Sequence, residues 1–133
     1  KDDGTLWAWG SNLYGQIGDG TKINRNMPAQ TNGVSDVIAI AGGGGFSVAL
    51  KYDGTVWAWG NNLYGQVGDG TTTQRSTPVQ VNGLNGVMAI AGGGYHTIAL
   101  KADCSIWAWG SNSTGQLGDG SNANSSVPVA VQF

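Results

Sequence analysis

The segment Asp-Gly-Thr-Val-Trp-Ala-Trp-Gly at residues 53–60 indicates the architecture of the chain, because it recurs at a fixed spacing. It stands at residues 3–10 as Asp-Gly-Thr-Leu-Trp-Ala-Trp-Gly and at residues 103–110 as Asp-Cys-Ser-Ile-Trp-Ala-Trp-Gly. The spacing is 50 residues, and the first two 50-residue units are identical at 31 of 50 aligned positions without insertion or deletion. The chain is therefore an array of repeats. Its units are residues 1–50, 51–100 and 101–133, of which the third is incomplete.

Each unit consists of short segments typical of β-strands, rich in Val, Ile, Trp and Thr and bounded by Gly, Asn, Asp and Pro. We predict about four strands per unit. Asp53-Gly54 is a favoured hairpin pair, so residues 50–55 should join one unit to the next through a tight turn. A four-stranded unit of this size cannot bury both faces alone and must stack against neighbours. The predicted fold is an all-β propeller of four-stranded antiparallel blades, here a partial ring of about two and two-thirds blades over residues 1–133.

The composition argues against several classes of partner. Charged residues make up only 11% of the chain and the net charge is -2, which gives no electrostatic footprint for nucleic acid. No apolar run approaches the roughly 18 residues of a membrane-spanning helix. We therefore predict neither nucleic-acid binding nor membrane insertion.

The tryptophans recur in pairs, one pair per unit. The two indoles of a pair are separated by one alanine, so both should leave the same face of their strand. Such indoles can form a platform for a sugar or a protein partner. Their strict recurrence favours packing between blades instead. The six residues are Trp7, Trp9, Trp57, Trp59, Trp107 and Trp109.

The chain lacks the groups that catalysis requires. His96 is the only histidine, and Phe46 takes its place in the preceding unit, so we predict a structural role with its ring nitrogens hydrogen-bonded to the backbone. No Ser or Cys nucleophile accompanies a recognisable base. We predict no enzyme activity, no catalytic residue and no cofactor.

The Asp-Gly pairs at residues 19–20, 69–70 and 119–120 raise the alternative of a calcium loop. Calcium takes six or more oxygen ligands, whereas each loop supplies one carboxylate. We predict that each Asp caps its own turn, and we predict no metal site.

Two other local features have structural interpretations. The glycine runs at 42–45 and 92–94 lack the Lys-Ser/Thr ending and the helix of a phosphate loop, so they indicate close backbone approach near the propeller axis. Cys104 stands where the other units have Gly4 and Gly54, which indicates a turn variant. An intermolecular disulfide is the open alternative.

Three further motifs accompany the Trp-Gly strand end. They are Asn-x-x-Gly-Gln-x-Gly at 12–18, 62–68 and 112–118, a proline at 28, 78 and 128, and Ala-Gly-Gly-Gly-Tyr-His-Thr-Ile-Ala-Leu at 91–100. Over its whole length the chain resembles the regulator of chromosome condensation repeat family. The resemblance implies a seven-bladed ring, which needs about 350 residues. The chain contains three half-units with Trp-Ala-Trp but only two half-units with Ala-Ile-Ala-Gly-Gly-Gly. We therefore expect a fragment cut within a blade, or else a ring completed by self-association.

Members of this family act as nucleotide exchange factors, as a plant ultraviolet receptor and as a bacterial β-lactamase inhibitor. The receptor's Gly-Trp-Arg-His-Thr motif maps to 93–97, where Gly94 and Tyr95 replace its Trp and Arg, which argues against photoreception. In this family, nucleotide exchange and chromatin binding need a dedicated surface loop and a basic tail. The insertion-free array of repeats has neither, which argues against both activities. The repeats are locally most similar to the inhibitor, whose partner-contacting aromatics map to Tyr95.

We therefore predict a non-catalytic protein-binding module of bacterial type, from a secreted or surface protein. Tyr95, and then Tyr14 and Tyr64, are the predicted partner-binding residues. The alternative is a structural or self-assembling scaffold, which the high similarity between units favours. A carbohydrate-binding lectin that uses the tryptophans is a third hypothesis.

Overall fold

The computed structural model describes all residues, Lys1–Phe133, and its regular structure is entirely β. No helix of the length and apolarity that a membrane crossing needs is formed. The ten strands are β1 (Trp7–Gly10), β2 (Arg25–Gln30), β3 (Val37–Gly42), β4 (Phe46–Lys51), β5 (Val56–Gly60), β6 (Arg75–Gln80), β7 (Val87–Gly92), β8 (His96–Lys101), β9 (Ile106–Gly110) and β10 (Ser125–Ala130).

The strands form three antiparallel sheets, which we name blades 1 to 3 in chain order. Blade 1 contains β1 and β2, blade 2 contains β3 to β6 and blade 3 contains β7 to β10, each paired in chain order. The predicted all-β class and the four-stranded antiparallel blades are confirmed. Each complete blade takes two strands from one sequence unit and two from the next, so blades and units are offset by half a period.

The predicted hairpin joins β4 to β5. The amide of Lys51 donates to the carbonyl of Thr55 at 3.0 Å, and Gly54 adopts a φ of 81°. Asp53 stabilises the turn by accepting hydrogen bonds from the amide and hydroxyl of Thr55. Cys104 takes the equivalent place in the next hairpin with a φ of 68°, which a non-glycine residue rarely adopts.

Apolar side chains between blades 2 and 3 form the core. Val48 and Leu50 of β4 and Val56 of β5 lie in one cluster with Trp109 of β9. On the axial side, the amide of Gly44 donates to the carbonyl of Gly94 at 2.6 Å, and a side chain at Gly43 would collide with the carbonyl of Gly93. The predicted close approach of the glycine runs is confirmed.

Candidate protein-binding face

One end of the blades carries the longest loops together with the glycine turns. The glycine turns after β3 and β7, and the loops after β1, β5 and β9, leave the sheets at this end, because the strands alternate in direction. We call this end the loop face. The hairpin turns at 52–55 and 102–105 lie at the opposite end.

A buried asparagine builds each loop of the loop face. The Asn62 amide nitrogen donates to the carbonyls of Thr71 and Thr73 at 3.0 and 2.9 Å, and its oxygen accepts from the amide of Val67 at 3.0 Å. These bonds satisfy backbone groups that have no strand partner, of which the amide of Val67 is buried. Asn12 and Asn112 make the same set of bonds in the other units.

An aspartate closes the same loops. Asp19 accepts hydrogen bonds from the amide and hydroxyl of Thr21 and lies 2.6 Å from Arg25. Asp69 pairs with Arg75 in the same way at 2.7 Å. The prediction that these aspartates cap their own turns is confirmed, because turn donors and the arginine take up the carboxylate oxygens.

Asp19 affects the acid stability of the chain. Burial would raise the pKa of Asp19, but hydrogen bonds from Thr21 and the interaction with Arg25 outweigh it and lower the pKa to about 2, from an ordinary value of 3.8. Because the unfolded chain binds more protons between the ordinary and the lowered pKa, we expect the free energy of unfolding to fall as the pH is lowered through that range.

Replacing Asp19 with Asn should reduce this acid dependence. The amide still accepts from Thr21, but it has no titrating proton in that range. We expect the free energy of unfolding, measured with urea at a series of pH values, to fall less steeply in the variant. Equal slopes in the two proteins would show that the Asp19 pKa is not lowered by folding.

The predicted tyrosines lie on the loop face, next to the glycine turns. The rings of Tyr64 and Tyr95 meet edge to face with centroids 5.3 Å apart. A side chain at Gly44 would come within 2.8 Å of the Tyr95 ring, and one at Gly45 would overlap the Tyr14 ring. Tyr14 and Tyr95 therefore flank one glycine turn. We call Tyr14, Tyr64 and Tyr95 the tyrosine row; Tyr95 is 46% and Tyr14 37% exposed.

A shallow groove runs beside Tyr14. It is lined by Asn61, Leu63 and Thr72, with Gln74 donating to the carbonyl of Leu13 across the blade joint at 3.4 Å. Leu63 is 68% exposed at the tip of its loop. Leu13 and Leu63 were not predicted as site residues. An apolar residue that recurs among polar loop residues, as in the Asn-Leu-Tyr segments at 12–14 and 62–64, would have indicated them.

A buried donor lies next to the tyrosine row. Gln66 is fully buried, and its oxygen accepts from the amide of Tyr64 at 2.9 Å. Its side-chain nitrogen has no hydrogen-bond partner in the chain. Buried donors are rarely left in this state, which makes this part of the loop face unusual.

The six tryptophans occupy three environments. Trp59 and Trp109 are buried, and each donates its indole N–H to a glutamine carbonyl of the preceding blade. Trp9 is 65% exposed. The remaining three are half-buried, each beneath a lysine and hydrogen-bonded to the Thr or Ser two residues earlier: Trp7, Trp57 and Trp107.

His96 differs from its prediction in one respect. Its ring packs over Gly93, close to where a Cβ would lie, as the ring of Phe46 does over Gly43. The predicted hydrogen bonds from its ring nitrogens to the backbone are absent. The reason is that the ring packs against Gly93, with Cε1 and both nitrogens nearest to it, and the side chain is only half-buried.

These blades and loops define a repeat propeller. A family model, the regulator of chromosome condensation (RCC1) repeat, matches residues 3–50, 53–100 and 103–133, and a second model of the repeat matches 37–66 and 88–116. The chain belongs to the RCC1 repeat family. No curated protein matches it.

Solved structures agree with this assignment. Human WBSCR16 is 29% identical with a TM-score of 0.86, over 98% of this chain and 34% of that one. Yeast RCC1 (Prp20), solved bound to Kap60, is 22% identical with a TM-score of 0.85, over 97% and 33%. Prp20p from Saccharomyces cerevisiae, described with its binding to Gsp1p and histones, is 23% identical with a TM-score of 0.82, over 97% and 34%. The chain spans about a third of the length of these proteins. At 22% and 23% identity, the likeness to the two yeast structures shows a shared fold and nothing about function.

Proposed function

We propose that this chain is a non-catalytic protein-binding module that contacts its partner through the tyrosine row and the adjacent groove. The observation that carries this proposal is the contact between tyrosines of neighbouring blades: the half-buried Tyr64 and the 46% exposed Tyr95 have ring centroids 5.3 Å apart. Tyrosine supplies a large amphipathic contact area at a low cost in conformational entropy. Packing the rings on one another and on glycine turns fixes them before binding, which reduces that cost further.

The chemistry of the face supports a protein partner. Apart from the tyrosines it presents Asn61, Leu63, Thr72 and Gln74, a mixture of amide, hydroxyl and aliphatic groups without a charge. Polar groups of this kind adapt their hydrogen bonds to a partner, as in antibody binding sites. The partner surface is therefore uncharged and polar, with an apolar side chain for the groove, and binding should be nearly independent of salt.

The family supports the general class. RCC1 repeat propellers are generally binding or exchange-factor proteins, and the yeast relative was solved as a complex. The chain spans about a third of such a protein, which supports the proposal that it acts within a larger array of repeats. The lectin hypothesis has less support, because Trp59 and Trp109 are buried.

Replacing Tyr95 with Ala should abolish partner capture. Aromatic anchors at interface centres cost about 2 kcal/mol or more when truncated, which corresponds to roughly thirtyfold in affinity. The immobilised chain and its variants Tyr95→Ala and Tyr64→Ala are each exposed to the proteins of the source organism. Quantitative mass spectrometry then compares the proteins that each of the three retains.

Tyr52→Ala is the matched control, because Tyr52 is 83% exposed at the opposite end of the blades. We expect at least one protein that the wild type and Tyr52→Ala retain but that neither Tyr95→Ala nor Tyr64→Ala retains. Retention of every captured protein by Tyr95→Ala would overturn the proposed binding face.

A further inference from the structure

The pair Asn-Gly occurs three times in the chain, at residues 32–33, 82–83 and 85–86. The first lies in the connection between β2 and β3, and the other two lie in the connection between β6 and β7. Glycine suits these turns because it adopts a positive φ, which is 77°, 65° and 65° at the three positions. Asparagine is also a thermolabile residue, and a glycine after it leaves its side chain open to attack.

The reaction of such a pair is a deamidation. The amide nitrogen of the glycine loses its proton to hydroxide and attacks Cγ of the asparagine, the Cγ–Nδ2 bond breaks, and ammonia leaves after taking a proton from water. Water then opens the cyclic imide. Attack of water at Cγ gives aspartate, whereas attack at the main-chain carbonyl carbon gives isoaspartate, in which the main chain runs through the former side chain.

The pair Asn82-Gly83 holds the reacting groups in accessible positions. Both residues are exposed, and neither the side chain of Asn82 nor the amide of Gly83 makes a hydrogen bond within the chain. No neighbouring atom lies within 4 Å of the place where a Cβ of Gly83 would stand. Nothing in the fold therefore hinders the approach of the Gly83 nitrogen to the Asn82 side chain.

The other two pairs are restrained by their neighbours. The side-chain amide of Asn32 donates to the carbonyl of Asp19 at 3.0 Å, which holds Cγ in place. The amide nitrogen that would attack Asn85 belongs to Gly86, and a Cβ at Gly54 would come within 3.2 Å of it. The fold thus distinguishes between three pairs that the sequence makes alike.

The Asn82 turn is anchored on both sides. Val81 and Leu84 are 1% and 4% exposed and belong to the core between blades 2 and 3. The amide of Val81 donates to the carbonyl of Val56, and the amide of Asn82 donates to the carbonyl of Gly68, both at 2.9 Å. An isoaspartate adds one methylene to the main chain between these anchors.

We propose that Asn82 is a site of spontaneous deamidation, and that the isoaspartate formed there loosens the joint of blades 2 and 3. The added methylene lengthens the main chain between Val81 and Leu84, so the two side chains no longer keep their places in the core together. The site shares no residue with the tyrosine row or the groove. Its turn lies between two blades that the chain itself contains.

Rates of deamidation test the site. The purified chain is kept in mildly alkaline buffer, with and without urea that unfolds it, and peptide mapping by mass spectrometry follows the gain of about 1 Da at each pair. The ratio of the folded rate to the unfolded rate should be about fivefold higher at Asn82 than at Asn32, whose hydrogen bond must break first, and higher than at Asn85. A ratio at Asn82 that does not exceed the other two would overturn the proposal.

Asn82→Asp is the matched control for the structural effect, because it carries the new charge without the added methylene. The isoaspartate form is separated from the aged protein by chromatography and identified by methylation with a protein isoaspartate methyltransferase. Its midpoint of urea unfolding should lie below that of Asn82→Asp, which should unfold close to the wild type. Equal midpoints of the isoaspartate form and Asn82→Asp would show that the turn absorbs the methylene, and the joint would then not be loosened.

Discussion

Replacing Trp109 with Ala is expected to destabilise the chain by about 4 kcal/mol, because the deletion leaves a large cavity in the core. The side chain is completely buried among Val48, Leu50 and Val56 of the neighbouring blade. The change also removes the bond to the carbonyl of Gln66, which then stays buried without that donor. Urea unfolding followed by far-ultraviolet circular dichroism measures the effect.

Trp9→Ala is the matched control, since it is the same substitution at the same position of another repeat. Trp9 is 65% exposed and its indole N–H bonds to nothing in the chain, so the change should stay within about 0.5 kcal/mol in dilute solution. Equal losses from the two substitutions would show that Trp109 is not covered by blade 2.

Asn62→Ala is expected to cost about 3 to 5 kcal/mol, although it removes few atoms. Asn62 is fully buried, and its loss leaves the carbonyls of Thr71 and Thr73 and the amide of Val67 without their partners. The unsatisfied amide of the buried Val67 costs about 1 to 3 kcal/mol, and the part-buried carbonyls of Thr71 and Thr73 add to this, less the part that water entering the loop recovers. The loop that carries the groove should also lose its conformation.

The neighbouring Asn61 provides the comparison. It is half-buried, and its amide makes one bond to the carbonyl of Gly44 at 3.4 Å and accepts one from the amide of Leu63. Asn61→Ala should cost less than about 1 kcal/mol in urea unfolding. A similar cost for both substitutions would contradict the assigned role of Asn62.

The sequence repeat predicts the secondary structure well and burial less well. Strict alternation around Trp-Ala-Trp and the Asp53-Gly54 turn follow from local chemistry, so the strands and the hairpin could be predicted. Trp9, Trp59 and Trp109 are equivalent in sequence, yet only the last two are buried. Burial depends on whether a blade lies in front of the indole, and a pattern within one unit does not contain that information.

The candidate site shows the same limit. Tyrosines in polar loops could be predicted at Tyr14, Tyr64 and Tyr95, and all three lie on one face, although Tyr64 is half-buried. The contact of Tyr64 with Tyr95 joins residues from adjacent blades and depends on the angle between sheets. The groove escaped prediction for the same reason, since Tyr14 and Leu63 come from different units.

The half-period offset between units and blades bears on how such arrays change length. Removal of residues 51–100 would join Leu50 directly to Lys101, so that β4 would continue through an intact turn into β9. The new sheet would contain β3, β4, β9 and β10, with every strand in its proper place. Loss or duplication of one unit in the gene therefore removes or adds a whole blade, and each junction falls at the end of β4 or β8, directly before a hairpin turn.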